Sequence, residues 1–335
     1  MPTSRPIPLN LFGIPFGLLG LGDCWLAAAS FGLVPVGIGR GLVAVSVIGW
    51  AVVLVLHIRG MRAYGSTLGR ELADPIAGPF ASLALIIPTL AAADALYPYS
   101  HTAGEAITDI GIVATVVLAG WFVGEWIYRP LDFEKVHPGY FLPSVAGGFV
   151  ASAAAGLTGQ LALAQVLFGL GLISWIVVGS IVLGRLVVGL SLPTALIPTL
   201  AIEVAPAAVA ILARFVIVGH RIDTGLRMLA GYGVLMIVAQ VRLLSAFLKL
   251  RFAPGFWAFT FSWAAVEFAV IFWLGVTHPT GWRVWIVLVL VSITAGIGAV
   301  ALRTVVALRR GEFLPAPAPI PAVVGRVPAL TPPAR

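Results

Sequence analysis

A single cysteine, Cys24, occurs in the 335 residues, so the chain cannot close an internal disulfide. Charge is scarce as well. Asp, Glu, Lys and Arg together make up 10% of the sequence, against about 25% in an average soluble domain. A water-soluble fold would have too little polar material to cover its surface. The histidines His57, His101, His137, His220 and His278 are scattered and lack metal-ligand spacing, so no metal site is expected. There is no zinc motif, no Ser/His/Asp order and no phosphate loop. Gly37-Ile38-Gly39-Arg40-Gly41 is glycine-rich, but it falls in an expected turn between two apolar runs, without the strand that a dinucleotide site needs. An enzyme with a cofactor is therefore not expected. The net charge of +7 comes from basic residues in short segments between apolar runs, which points to membrane topology and not to nucleic-acid binding.

The sequence is rich in long hydrophobic runs. Hydrophobic residues make up 60% of the chain and its mean hydropathy is +1.06. A bilayer core takes roughly 20 apolar residues per helix, and a helix satisfies its own backbone in lipid. The chain is expected to be an all-α integral membrane protein with ten spans, at about 10–30, 41–63, 78–97, 108–128, 138–158, 163–187, 195–217, 226–249, 255–276 and 282–307. Pro15 and Asp23 interrupt the first run, which is long enough to cross, so it is taken as a span and not as a cleaved signal peptide. Short loops make consecutive spans antiparallel hairpins.

With both termini inside, fourteen lysines and arginines fall on the cytoplasmic side and four on the far side (Arg40, Arg221, Arg227 and Arg283). That bias implies cytoplasmic termini, an even number of spans and a place in the inner or plasma membrane. The membrane domain is expected to cover 1–310. Residues 311–335 hold seven prolines and are expected to form a disordered or polyproline II tail on the cytoplasmic side.

Proline is unevenly distributed among the spans. Pro15, Pro88 and Pro143 lie inside the first, third and fifth spans, and Pro198 and Pro206 inside the seventh, whereas the even spans have none. Pro254 only flanks the ninth. A proline inside a helix removes one hydrogen bond and bends the helix. The freed carbonyl then needs protein or water. Bent odd helices are therefore expected around a central path, shielded by straight even ones. Gly13, Gly17 and Gly147 lie among other small residues in the first and fifth spans. Such residues allow close packing and leave width for a solute.

These same segments resemble the tellurite-resistance/dicarboxylate transporter family, which includes the bacterial tellurite-resistance homologues and the plant slow-type anion channels. The resemblance is carried by Phe12-Gly13-Ile14-Pro15-Phe16-Gly17, His137-Pro138-Gly139-Tyr140-Phe141-Leu142-Pro143 and Ala205-Pro206-Ala207. Gly231-Tyr232-Gly233, Arg242-Leu243 and Trp257-Ala258-Phe259-Thr260-Phe261 complete the set, in consistent order from about residue 10 to 313. It implies five quasi-symmetric hairpins around a pore, a homotrimer with one pore per subunit, and a phenylalanine plug that maps onto Phe261. It also implies small anions as solutes, such as chloride, nitrate, sulfite or dicarboxylates. Pro15, Pro88, Pro143 and Pro206, with Gly13, Gly17 and Gly147, are the expected pore-lining or kink positions. The chain departs from the bacterial pattern by carrying Asp23, Glu203 and Glu267 within spans. Intramembrane carboxylates are costly and functional by default. One of them, Glu203 first, is a candidate for coupling anion movement to protons, so both a gated channel and a proton-coupled oxyanion or C4-dicarboxylate carrier remain open.

Overall fold

A computed structural model describes residues 7–129 and 131–314. Of the tail expected at 311–335, Phe313 is instead buried and stacked on Phe252, and residues 315 onward lie outside the described residues. Among the described residues, ten helices are long and apolar enough to cross a membrane: α1 Leu9–Ser30, α2 Val36–Ala63, α3 Gly78–Leu96, α4 His101–Tyr128, α5 Pro138–Leu157, α6 Leu161–Val188, α7 Ile197–Ile217, α8 Thr224–Phe247, α9 Pro254–Thr277 and α10 Trp282–Arg309.

The even helices are continuous α-helices of 24 to 28 residues. At about 1.5 Å per residue they reach roughly 36–42 Å, enough to cross a hydrocarbon core of about 30 Å with some tilt. The odd helices are composite. α1 opens with a 3-10 turn at Leu9–Phe12. α3 runs from a 3-10 turn (Gly78–Ser82) through an α-segment to a π-turn, Ala92–Leu96. α5 has a 3-10 turn and then a π-turn, Leu142–Ala146. α7 begins with eight residues of 3-10 helix, Ile197–Val204, and α9 with Pro254–Phe256.

The prolines explain much of this irregularity. Pro15 and Pro206 lie just beyond the points where a 3-10 start passes into an α-segment. Pro143 sits within the π-turn of α5. Pro88 alone interrupts the interior of an α-segment. Its ring removes the donor that would reach the Ala84 carbonyl, and the indole of Trp50 on α2 donates to that carbonyl instead, at 2.9 Å. Ser46 on α2 likewise donates to the Pro15 carbonyl at 2.7 Å, and Gln240 on α8 to the Leu200 carbonyl at 2.8 Å. Straight helices thus supply side-chain donors to broken ones.

Burial follows the same division. Among the most hydrophobic 18 residues of each span, 44–83% are buried in the odd helices and 6–28% in the even helices. α5 is the most enclosed. α1 packs on α2 and α9, and α9 on α7 and α10. Among the described residues, the chain begins and ends on one face of the bundle. Gly13, near the start of α1, lies against Trp257 at the start of α9, whose indole donates to Thr304 near the end of α10 at 3.0 Å.

Two span starts differ from expectation. The glycine-rich segment 37–41 is not a turn, because α2 already begins at Val36. Its glycine serves packing: a side chain at Gly39 would run into Leu26 of α1. α4 begins at His101, with Ser100 capping the Ala103 N–H. Polar residues in this first stretch, such as Thr102 and Glu105, hid the helix from a hydropathy reading.

Candidate functional site

Three cavities lie between the odd helices. The widest, about 250 Å³, is bordered by Phe16, Asp23, Asp94, Val150, Leu212 and Phe261 among others. Every residue on its wall belongs to α1, α3, α5, α7 or α9, or to His220 just beyond α7. A constriction of about 40 Å³ follows, between Phe141, Leu142, Ile202, Pro206 and Phe261. A third cavity, of about 230 Å³, sits where the odd helices begin, bordered by Asn10, Phe80, Thr199, Pro254 and Phe261. Even helices contribute no residue to any of the three walls.

Phe261 is the one residue common to all three walls. It lies on α9, is 6% exposed, and packs at 5.1 Å ring to ring against Phe16 of α1. The local sequence fixes this position. A Cβ at Gly17 would collide with Thr260, and one at Gly13 would meet Trp257 at 3.2 Å. Both glycines therefore let α1 close directly on α9 in the turn just before Phe261.

The other expected site residues sit as follows. Pro206 borders the constriction. Pro15 is buried, and its Cβ lies where a side chain at Gly49 of α2 would touch it. Gly147 faces Thr115 of α4, and Pro88 and Pro143 set helix geometry beside the axis. None of these four is on a cavity wall.

The carboxylates separate. Glu267 accepts from Ser292 of α10 with both oxygens at 3.2 Å, and so faces the outer ring. Glu203 is absent from all three walls, one of its oxygens is buried without a partner, and Tyr232 of α8 lies within its field. Asp23 alone reaches the axial cavity, where it meets Asp94 of α3. The sequence reading passed over Asp94. Its position inside the third span, 78–97, was the available signal. Arg214 of α7 pairs with Asp223, the N-cap of α8. Arg214 Nε donates to Asp223 Oδ1 at 3.0 Å, and this bond holds the Asp223 carboxyl down at about 2.

The motif that leads into α5 is structural. The buried His137 accepts the Gly139 N–H at Nδ1 and donates from Nε2 to the Ile76 carbonyl, each at 3.1 Å. Its ring stacks on Phe80. Burial pushes its pKa down to about 4, so the ring is neutral and joins the starts of α3 and α5. All five odd helices begin at this end, near Pro8, Pro79, Pro138, Pro198 and Pro254. Helix N-termini carry a partial positive charge of roughly +0.5. These starts point their positive ends toward the cavity at this end, which has no lysine or arginine on its wall. Among the described residues, no group of three or more His, Cys, Asp or Glu could hold a metal.

A protein-family model described as voltage-dependent anion channel matches residues 6–305 of the chain. The tellurite resistance protein TehA homolog of Haemophilus influenzae is 29% identical over 315 residues, which cover 92% of this chain and 93% of that protein.

Proposed function

Because the chain belongs to the voltage-dependent anion channel family, is a multi-pass membrane protein and serves transmembrane anion transport, we propose that its route is the axis between the odd helices and that the Phe261 ring is the plug. The observation that carries this reading is that Phe261 alone borders the cavity at either end and the constriction between them. Discrimination by charge needs a field and no reaction. A half-charge at about 8 Å in a medium of effective dielectric about 20 gives about 1 kcal/mol. Five converging helix starts then offset part of the cost of drying an anion. The ring closes the narrowest segment because its neighbours there are apolar and close.

In this reading the solutes are small anions such as chloride, nitrate, sulfite or dicarboxylates. The working unit is a homotrimer in the inner or plasma membrane, with one route per subunit and both termini cytoplasmic. A proton-coupled carrier for oxyanions is the second reading, favoured by the two carboxyls on the wall of the wide cavity.

Anion flux into liposomes tests the plug. Displacing a buried phenylalanine ring costs about 1.5–3 kcal/mol, and each 1.4 kcal/mol is tenfold in rate. Phe261→Ala should raise chloride or nitrate flux by roughly 10- to 150-fold. Unchanged flux in a well-folded Phe261→Ala protein would remove Phe261 as the plug. Reversal potentials under an imposed proton gradient distinguish channel from carrier, since only a coupled carrier shifts with pH.

A further inference from the structure

The 250 Å³ cavity between the odd helices has an almost wholly apolar wall, yet two carboxyl groups from different helices meet on it. Asp23 comes from the middle of α1, and Asp94 from the π-turn that ends α3. The widened turn matters here, since such turns re-aim side chains and recur at functional sites. Oδ1 of Asp23 and Oδ2 of Asp94 are both buried without a hydrogen-bond partner. Unpartnered polar atoms in an enclosed site call for an occupant.

A metal cation fits poorly. Hard cations such as Mg²⁺ and Ca²⁺ take six or more oxygen ligands, and beyond these carboxyls the only polar side chains on this wall are His220 and Ser30, whose hydroxyl donates to the Ala27 carbonyl. A proton needs only the two carboxyls, which in an apolar surrounding share one more readily than they ionise together.

We infer that Asp23 and Asp94 form one protonation site in the cavity beyond Phe261, and that anions traverse this cavity when protons from the adjoining solution have neutralised the pair. An ionised carboxylate on the wall repels an anion, and the low-dielectric surroundings strengthen that repulsion. Proton and anion therefore favour each other's presence, reciprocally.

Other titratable groups near the pair are accounted for. Cys24 of α1 donates to the Ala264 carbonyl at 3.4 Å, and Arg40 of α2 lies over the Tyr99 ring. On α4, His101 packs on Tyr97 and Asp109 accepts from Gln160. Arg214 of α7 is paired with Asp223, and Glu267 of α9 accepts from Ser292. α5 brings only Val150, Ala153 and Leu157 to the wall. His220, at the mouth, is the one other titratable residue lining this cavity, and its ring packs on Phe272.

This inference deepens the axial-route reading, and its test has an arm independent of flux. The infrared C=O stretch of protonated carboxyls is followed from pH 5 to 8 in purified protein reconstituted in lipid. Wild type and a Glu203→Gln/Glu267→Gln background should show a band that disappears on raising the pH, and the Asp23→Asn/Asp94→Asn double variant in that background should lack it. Survival of that band in a folded double variant would overturn the proposal whether or not anions move. In the flux arm, wild-type nitrate flux should fall at least roughly tenfold from pH 5 to 8. The double variant should hold the acid-side rate throughout, and His220→Gln should keep the wild-type profile. A pH profile that persists in the double variant, or is abolished by His220→Gln alone, would also overturn it. Normal infrared behaviour without any anion flux, in wild type or Phe261→Ala, would instead reject the axial route.

Discussion

α5 and α8 are both apolar helices of one chain, yet 83% of the apolar window is buried in the first and 6% in the second. α5 is broken into 3-10, π and α segments, while α8 is one uninterrupted α-helix. The difference teaches where irregular backbone is tolerated in lipid. A helix against hydrocarbon must satisfy every backbone group within itself. A helix surrounded by protein can borrow donors, as α3 borrows the indole of Trp50 and α7 the amide of Gln240. The inner ring can therefore be bent and hollow, because the outer ring is regular.

The largest stability effect expected from this division lies at the start of α5. His137 is neutral in the fold with its pKa near 4, against an ordinary value of 6.5. The unfolded chain binds a proton below 6.5 that the folded chain refuses until about 4. Stability is thus complete above pH 6.5 and falls as pH drops toward 4, by about 3 kcal/mol in all. Thermal unfolding in detergent should show this loss in wild type and a flatter profile in His137→Gln. An identical slope in both would mean that the inner-ring cap is not the titrating element.

A second contrast uses glycine. Gly17→Ala places a methyl group against Thr260 and should cost about 1–3 kcal/mol by overpacking. Gly298→Ala on α10 meets nothing within 4 Å and should gain about 0.5–1 kcal/mol from helix propensity. Equal effects at the two sites would erase the distinction between rings.

A third contrast probes borrowed donors. Trp50→Phe strands the Ala84 carbonyl opposite Pro88 and should cost about 1–2 kcal/mol. Pro88→Ala in the same background restores an N–H to that carbonyl and should recover part of the loss. No coupling between the two substitutions would show that the indole does not serve the proline gap.

Hydropathy made the ten spans legible, because length and apolarity are local properties. The odd placement of Pro15, Pro88, Pro143 and Pro206 likewise foreshadowed the inner ring. Helix type was not legible, since whether a proline gives a 3-10 start or a π-turn depends on neighbours. Nor was the meeting of Asp23 with Asp94, which are 71 positions apart, or the pairing of Arg214 with the Asp223 cap across a loop. Phe261 stood out among 18 phenylalanines only through family resemblance, because its place on three walls depends on tertiary packing.

Thiol labelling along the axis tests the account most directly. Cys24 is fully buried, so a single introduced cysteine can be followed with a charged, membrane-impermeant reagent. Leu212→Cys, on the wall of the wide cavity, should react, whereas Val291→Cys, 59% exposed on the outer face of α10, should stay unmodified in lipid. Reaction at Val291→Cys with protection at Leu212→Cys would place water outside the bundle and contradict a hydrated route between the odd helices.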